Sequence, residues 1–341
     1  MEQDPKQPVN GSGGTGTVSE APKPPADSRP VVVRIQGLTK AYGGKLALDG
    51  LDLEIREGDI LGYIGPNGAG KTTTLRILAA LLLPTKGSAQ IAGMDVVKSP
   101  RRIKELVGYM PDSFGVYDNM TLWEYLDFFG AAYRIPRATR KQVIGDVLAL
   151  TDLHSKKDDQ VSAFSRGMKQ RACLAKTLLH NPKVLILDEP ASGLDPRARI
   201  EFRELLKELQ RMGKTIIVSS HILTELSSIC TTVAIIEAGR LIAAGAVEDI
   251  LKSLRPQREF ILDLLEPSDL DRARALLEKG AGILSVTAQD GTVRFSCTAT
   301  DREIADLVER VAAERIPFIG LREELADLET AFMALTKGKL A

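Results

Sequence analysis

Short aliphatic, β-branched runs recur along the chain, separated by stretches with helical spacing. The first is Val31-Val32-Val33-Arg34-Ile35, and strand-type segments follow at Leu46–Ile55, Ile60–Ile64, Ser88–Ala92, Val184–Leu187, Thr215–Ser219 and Val233–Glu237. An unbroken apolar run such as Val184-Leu185-Ile186-Leu187 marks a strand covered on both faces, because a strand with one face in water alternates. Helical stretches lie between several of these runs, notably Lys71–Leu82 and Ala198–Met212. Alternating strands and helices predict an α/β fold with a mostly parallel sheet between two helical layers. Thr121 to about Leu179 breaks the alternation. Leu122, Tyr125, Leu126, Phe129 and Tyr133 follow helical spacing there and strand runs are lacking, so an inserted helical subdomain at about 113–180 is expected.

The texture changes at both ends. Residues 1–30 are rich in Gly, Pro, Ser, Lys and Asp and poor in large apolar residues, a composition that cannot bury enough surface to offset ordering entropy. A disordered tail is expected there. Past Leu254-Arg255-Pro256 the segments read strand (Glu259–Leu265), helix (Asp269–Lys279), strand (Gly282–Gln289), strand (Thr292–Thr298), helix (Asp301–Arg315) and strand (Pro317–Arg322), with a closing helix at Leu325–Thr336. Asp290-Gly291 between two alternating runs is a tight hairpin signal. The β-α-β-β-α-β order is that of a small ferredoxin-like α+β unit. The expected division is therefore 1–30, 31–254 and 255–341.

Between the strand run at Ile60–Ile64 and the helix from Lys71 lies Gly65-Pro66-Asn67-Gly68-Ala69-Gly70-Lys71-Thr72-Thr73. It fits the pattern of Gly, four free positions, then Gly-Lys-Ser/Thr. Glycines let the backbone curl so that successive N–H groups point at phosphate oxygens. Lys71 then reaches the β- and γ-phosphates, and the Thr72 hydroxyl can ligate Mg²⁺ at the positive end of the helix dipole. These residues predict binding of a nucleoside triphosphate. Downstream, Val184-Leu185-Ile186-Leu187-Asp188-Glu189-Pro190 is an apolar strand ending in two carboxylates. It would deliver Asp188 to Mg²⁺ and place Glu189 beside the γ-phosphate to polarise the attacking water.

Composition narrows the field. Lys plus Arg equals Asp plus Glu at 45 each, so there is no cationic excess to support broad nucleic-acid binding. Cys173, Cys230 and Cys297 lie far apart with no ligand spacing and read as reduced thiols. The longest aliphatic stretch, Ile77 to Leu83, is far below the ~20 residues of a membrane-spanning helix. A cytoplasmic location is expected, with contact to a membrane only through a partner.

Three further motifs accompany the two already described. Phe164-Ser165-Arg166-Gly167-Met168-Lys169-Gln170-Arg171 precedes the acidic strand; Ser192-Gly193-Leu194-Asp195 follows it, and His221 stands after Thr215–Ser220. In this order, over roughly Val31 to Ala246, they resemble the nucleotide-binding subunit of ATP-binding-cassette (ABC) proteins. The resemblance implies an ABC nucleotide-binding domain of the P-loop NTPase fold, with a mixed sheet core and a helical subdomain. It implies that Tyr42, in Lys40-Ala41-Tyr42-Gly43-Gly44, stacks on adenine. It also implies that Ser165 and the Gly167 N–H bind the γ-phosphate of ATP held by a second subunit, that Asp195 lies at the dimer seam, and that His221 senses the γ-phosphate. Two chains would enclose two ATP molecules head to tail, most simply as a homodimer.

This sequence departs from the family pattern twice. Asp112 follows Val107-Gly108-Tyr109-Met110-Pro111, where the family usually carries glutamine; it is one methylene shorter and charged, a candidate Mg²⁺ ligand. Arg166 takes the place of the second glycine of the usual signature. The Ser-Arg-Gly-Met-Lys-Gln-Arg signature and the C-terminal Leu328–Thr336 segment are similar to export-type subunits encoded apart from their membrane permease. The expected function is ATP hydrolysis that drives such a permease, which would dock near Asp112 and the helix from Thr121, with Phe114, Val116, Tyr117 and Trp123 as candidate contacts. Leu325, Leu328, Phe332 and Leu335 would pack inward as an amphipathic helix. The alternative is a non-transport ABC ATPase acting on ribosome or nucleic acid. Such proteins usually carry two cassettes, a coiled coil or a zinc insert, whereas only about ninety residues separate Lys71 from Ser165 here, without heptads or Cys pairs. Lys71→Ala is expected to abolish ATP binding in equilibrium titration; micromolar binding surviving in that variant would overturn the loop assignment.

Overall fold

Tyr42-Gly43-Gly44-Lys45 cannot be crossed by anything but a hairpin. Both central glycines sit at positive φ (52° and 88°), the geometry that two-residue β-turns demand. In the computed structural model, which describes residues 28–113, 115, 119–220, 228–254 and 258–324, this turn joins β1 (Val31–Tyr42) to β2 (Lys45–Arg56). β4 (Lys86–Ile91) and the short β5 (Met94–Asp95) complete an antiparallel sheet of order β2-β1-β4-β5. The expected assignments for the tail 1–27, for Phe114, Val116, Tyr117 and His221, and for the helix from Leu325 lie outside the described residues.

The expectation of one mostly parallel sheet holds for a second sheet only. β3 (Ile60–Ile64), β6 (Val107–Met110), β7 (Val184–Asp188), β8 (Thr215–Ser220) and β9 (Thr232–Glu237) run parallel, and β10 (Arg240–Ala246) pairs antiparallel with β9. The order is β10-β9-β3-β8-β7-β6. The long strands before Arg56 were separated from it by their own hairpin, because a two-residue connection can only pair strands antiparallel. β3, β7 and β8 are buried along their whole length, around the apolar runs Ile60-Leu61, Val184–Leu187 and Ile216–Val218.

Helix α1 (Lys71–Leu78) stops four residues before the expected Leu82. Ala80 takes φ 52°, and the Leu81 N–H bonds back to the Arg76 carbonyl at 2.9 Å while the Ala80 N–H bonds to Ile77 at 3.0 Å. That reversed pair of bonds closes the helix although no glycine marks it. α2 (Pro100–Leu106) leads into β6. The helical subdomain comprises α3 (Leu122–Ala132), α4 (Arg137–Leu150) and α5 (Arg166–Leu178). A capping box, Thr121 with Glu124, starts α3, and Leu122, Tyr125 and Leu126 bury against Ile144, Leu148 and Leu174. Phe129 packs partly against that core, while Tyr133 leaves the stripe and stacks on His180 with ring centroids 4.3 Å apart. α6 (Pro196–Arg211) connects β7 to β8, and α7 (Val247–Leu254) follows β10.

Residues Arg258–Glu323 form an α+β unit with its own sheet. β11 (Arg258–Leu264), α8 (Leu270–Leu277), β12 (Ile283–Gln289), β13 (Thr292–Cys297), α9 (Asp301–Ala313) and β14 (Phe318–Glu323) follow the expected order to within a few residues. The antiparallel order β12-β13-β11-β14 is that of a ferredoxin-like sheet. Phe260, Leu262, Phe295, Cys297, Leu277, Ile304 and Leu307 belong to its own core cluster. A chain ended at residue 255 is expected to keep a cooperative thermal transition and ATP binding; loss of either in that truncation would refute a domain boundary near 255.

Candidate functional site

β3 lies between β8 and β9 and delivers Gly65 at its carboxyl end, where ligand sites of parallel sheets form. A Cβ on Gly65 would collide with the Ile236 carbonyl of β9. Gly70 caps α1 at φ 105°, and a Cβ there would stand 2.5 Å from the Ala47 carbonyl of β2 and 2.7 Å from a Leu48 methyl. The backbone therefore passes closer to both sheets than any other residue type allows. Thr74, buried one turn into α1, hydrogen-bonds the Gly70 carbonyl and the Tyr63 hydroxyl, each at 3.1 Å. Burial drives the Tyr63 phenol far above its usual range, so it stays protonated in this role.

Lys71 is 7% exposed and turns back into the loop. Its Nζ donates to the Gly65 carbonyl at 2.7 Å and to Pro66 at 3.3 Å, and stands 3.5 Å from Glu189 Oε1. Of the expected loop residues, Gly65 and Pro66 thus hold the ammonium through their carbonyls, while Asn67, Gly68, Ala69 and Gly70 carry the chain on to α1, whose first turn holds Thr72 and Thr73. Asp188 ends β7 with 1% exposure. Ser219 Oγ donates to Asp188 Oδ1 at 2.7 Å and accepts the Glu189 N–H at 2.9 Å. Glu189 adopts φ 49°, immediately after Asp188 at the end of β7. Sequence reading passed over Ser219; the available signal was the polar pair Ser219-Ser220 directly after the apolar run Ile216-Ile217-Val218 in a buried strand.

The loop after β7 leads directly to the signature. Asp195 caps α6, accepting the Ala198 N–H at 2.8 Å. Ser165 caps α5, accepting the Met168 N–H at 3.3 Å. These two helix starts meet within one chain. A Cβ on Gly167 would stand 3.4 Å from the Ala198 Cβ, and the Arg166 guanidinium lies over Gly193, occupying the space a side chain there would need. Arg171 bridges Asp152 and Glu201, tying α5 to α6. Asp112 and Ser113 face Arg166, Lys169 and Gln170 across a cavity of about 380 Å³. Both departures from the family pattern therefore open on one space, an arrangement no motif reports. Burial, then the charge of Asp188, and more weakly that of Asp112, raise the Tyr109 phenol, so both carboxylates act on one ring. Tyr42 ends β1 half exposed, with Lys40 Nζ 5.1 Å above its ring.

The sequence model of the ABC transporter family matches residues 48–192, the stretch that holds the phosphate loop and both carboxylates. Nod factor export ATP-binding protein I of Ralstonia nicotianae is 33% identical over 93% of this chain and 97% of its own length. This chain belongs to the ABC transporter ATP-binding proteins. The linearmycin resistance ATP-binding protein LnrL of Bacillus subtilis is 29% identical over 89% of this chain and 98% of its own. The bacitracin transport ATP-binding protein BcrA of Bacillus licheniformis is 37% identical over 77% and 84%. Among solved structures, an ATP-binding subunit of an ABC transporter superposes with a TM-score of 0.59 at 29% identity, covering 65% of this chain and 92% of that one. The cbiO1 protein of Clostridium perfringens, part of the transporter complex cbiONQ, gives 0.59 at 26% identity, over 66% and 93%.

As an ABC ATPase the chain binds ATP. A buried ammonium held by two carbonyls and facing one carboxylate is poised for the phosphates' negative charge. The non-transport alternative is not favoured by relatives named for export, resistance and transport. Gly70→Ala forces a left-handed backbone on alanine and drives its Cβ into the Ala47 carbonyl. It is expected to cost at least about 1 kcal/mol of stability and to remove the ATP-dependent rise in melting temperature; a rise equal to that of the wild type would refute the close approach.

Proposed function

We propose that this chain is the ATP-hydrolysing subunit of an export transporter and drives a separate integral membrane permease through ATP-dependent closure of a homodimer. The observation that carries the reading is end-to-end likeness to a protein named for export, over 97% of that protein's length. No helix among the described residues is long and apolar enough to cross a membrane. A peripheral position on the inner face of the cell membrane, held through the permease, accords with that. No nucleic-acid partner is proposed.

In this reading ATP lies with its phosphates over Gly65–Thr73 and its adenine against the exposed ring of Tyr42, a contact that gives affinity with little base specificity. Lys71 exchanges its loop carbonyls for phosphate oxygens and neutralises charge on the β- and γ-phosphates. The described residues hold no group of three or more His, Cys, Asp or Glu side chains suited to a metal. The donors at hand are the Thr72 hydroxyl and the Asp188 carboxylate. One carboxylate and a hydroxyl, completed by phosphate oxygens and water, is the mixed oxygen set that Mg²⁺ accepts. When bound there, Mg²⁺ would offset the negative charge that develops on the phosphates.

Glu189, held beside Lys71, orients the attacking water and takes its proton. Its carboxylate stands 3.5 Å from the Lys71 ammonium. Ser165 and the Gly167 N–H, at the exposed start of α5, bind the γ-phosphate of ATP held by the second copy, with Asp195 at the seam and His221 sensing the phosphate's departure. A site completed in trans makes one chain alone a poor ATPase. Asp112, facing Arg166 and Lys169, joins the phosphate site to the signature helix, and its charge remains available to Mg²⁺. The cassette extends over 31–254 and the ferredoxin-like unit over 255–341.

Glu189→Gln is expected to keep ATP binding, lose turnover and accumulate an ATP-stabilised dimer on a sizing column. Trapped with ATP and Mg²⁺ in its native host and gently solubilised, it should carry a polytopic membrane protein in stoichiometric amount. Ribosomal or DNA-bound partners without a membrane protein would overturn the transport reading. Turnover near the wild-type rate would make another group the base, with Asp112 the first suspect.

A further inference from the structure

The geometry points to Ser219 as a positioning residue for the hydrolytic site: a single hydroxyl sets the metal-side carboxylate and the general base relative to each other. The inference rests on the reading of Asp188 and Glu189 given above and concerns how they are held. β7 and β8 are paired in parallel with Asp188 opposite Ser219. Ser219 is wholly buried, in a strand whose preceding residues are Ile216, Ile217 and Val218. A serine placed for solubility or for capping would reach water; this one cannot.

Its hydroxyl is used in both directions. As donor it bonds Asp188 Oδ1 at 2.7 Å, a short, charge-assisted bond that fixes the rotation of the carboxylate. As acceptor it takes the Glu189 N–H at 2.9 Å. That second bond falls where β7 ends. Glu189, at φ 49°, leaves the sheet, and a side-chain oxygen of the neighbouring strand receives its N–H. A non-glycine residue keeps a left-handed backbone only where its surroundings enforce it. The hydroxyl supplies part of that enforcement, and the Glu189 carboxylate consequently stands 3.5 Å from Lys71 Nζ. Two neighbouring carboxylates with different tasks are thereby oriented from one atom. The hydroxyl stands one hydrogen bond behind the Asp188 carboxylate, where polar partners tune a ligand they do not replace.

The test uses the full-length chain with Ser219→Ala, Ser219→Cys and Ser219→Thr, and Glu189→Gln as control. The readouts are ATP affinity without metal, kcat and KM, and Mn²⁺ binding in the presence of a non-hydrolysable ATP analogue, followed by electron paramagnetic resonance. Metal-free ATP affinity should stay within about twofold in every Ser219 variant, because the phosphate loop is untouched. Ser219→Ala should lower kcat and weaken Mn²⁺ binding, each by about ten- to a hundredfold, with KM little changed. Ser219→Thr keeps the hydroxyl and should restore both. Ser219→Cys, nearly the volume of serine with a weak donor, should behave as alanine does, and carries the test if the alanine variant fails to fold. Unchanged kcat and Mn²⁺ affinity in Ser219→Ala or Ser219→Cys, beside an inactive Glu189→Gln, would overturn the role of Ser219 alone. Loss in Ser219→Thr as deep as in Ser219→Ala would overturn it too, by making packing rather than the hydroxyl the cause. Turnover surviving in Glu189→Gln would instead overturn the reading of the site beneath it.

Discussion

Three glycines lock the phosphate loop against the ends of both cassette sheets. Gly65 passes against the Ile236 carbonyl of β9, and Gly70 against the Ala47 carbonyl of β2. A Cβ on Gly239, in the turn after β9, would come within 2.8 Å of that same Ala47 carbonyl. Backbone bonds run alongside: Gly239 N–H to the Ala69 carbonyl at 3.0 Å, and Asp49 N–H to the Gly239 carbonyl at 2.9 Å. The antiparallel sheet, the parallel sheet and the loop therefore share one contact. A methyl group at any of the three would push apart backbones that pass within contact distance there. The position of Lys71, and of every group measured from it, depends on that closeness.

Around this contact the site is built of charges that the surrounding chain holds in place. Lys71 and Asp188 are nearly inaccessible, and a buried charge is tolerated only with partners. Lys71 has two carbonyls and Glu189; Asp188 has the Ser219 hydroxyl. Fixed dipoles of this kind need little reorganisation when phosphate charge arrives, which is the source of most electrostatic catalysis. The signature end is different in character. Ser165 and Asp195 spend their side chains on capping their own helices and remain at the surface, as suits groups that would act on the nucleotide of a second copy.

Much of this was legible in the chain. The phosphate loop, the strand ending in Asp188-Glu189 and the β-α-β-β-α-β order after residue 258 could be read because each depends on residues adjacent in sequence: a turn, a buried run, a hairpin. The length of α1 was not, since Ala80 closes it in a backbone conformation usually left to glycine. The antiparallel first sheet was under-read as well, although Gly43-Gly44 announced its hairpin, because strand runs alone do not say which sheet they join. Tyr133 kept helical spacing on paper yet turned to His180, where a neighbouring ring outweighed the core.

The sequence by itself determined the family, through local patterns strong enough to name it: a Gly-rich loop leading into Lys71 and Thr72, and an apolar strand ending in Asp188 and Glu189. Tertiary structure alone decided which residues serve that chemistry from elsewhere in the chain. Ser219 lies thirty-one residues from Asp188 and meets it only because β7 and β8 are paired in one register. Arg166 and Asp112 look like unrelated departures until α5 and the end of β6 face each other across one cavity. The physical reason is common to both. Covalent neighbours dictate local conformation through sterics and hydrogen bonds, whereas distant partners are chosen by the packing of whole elements.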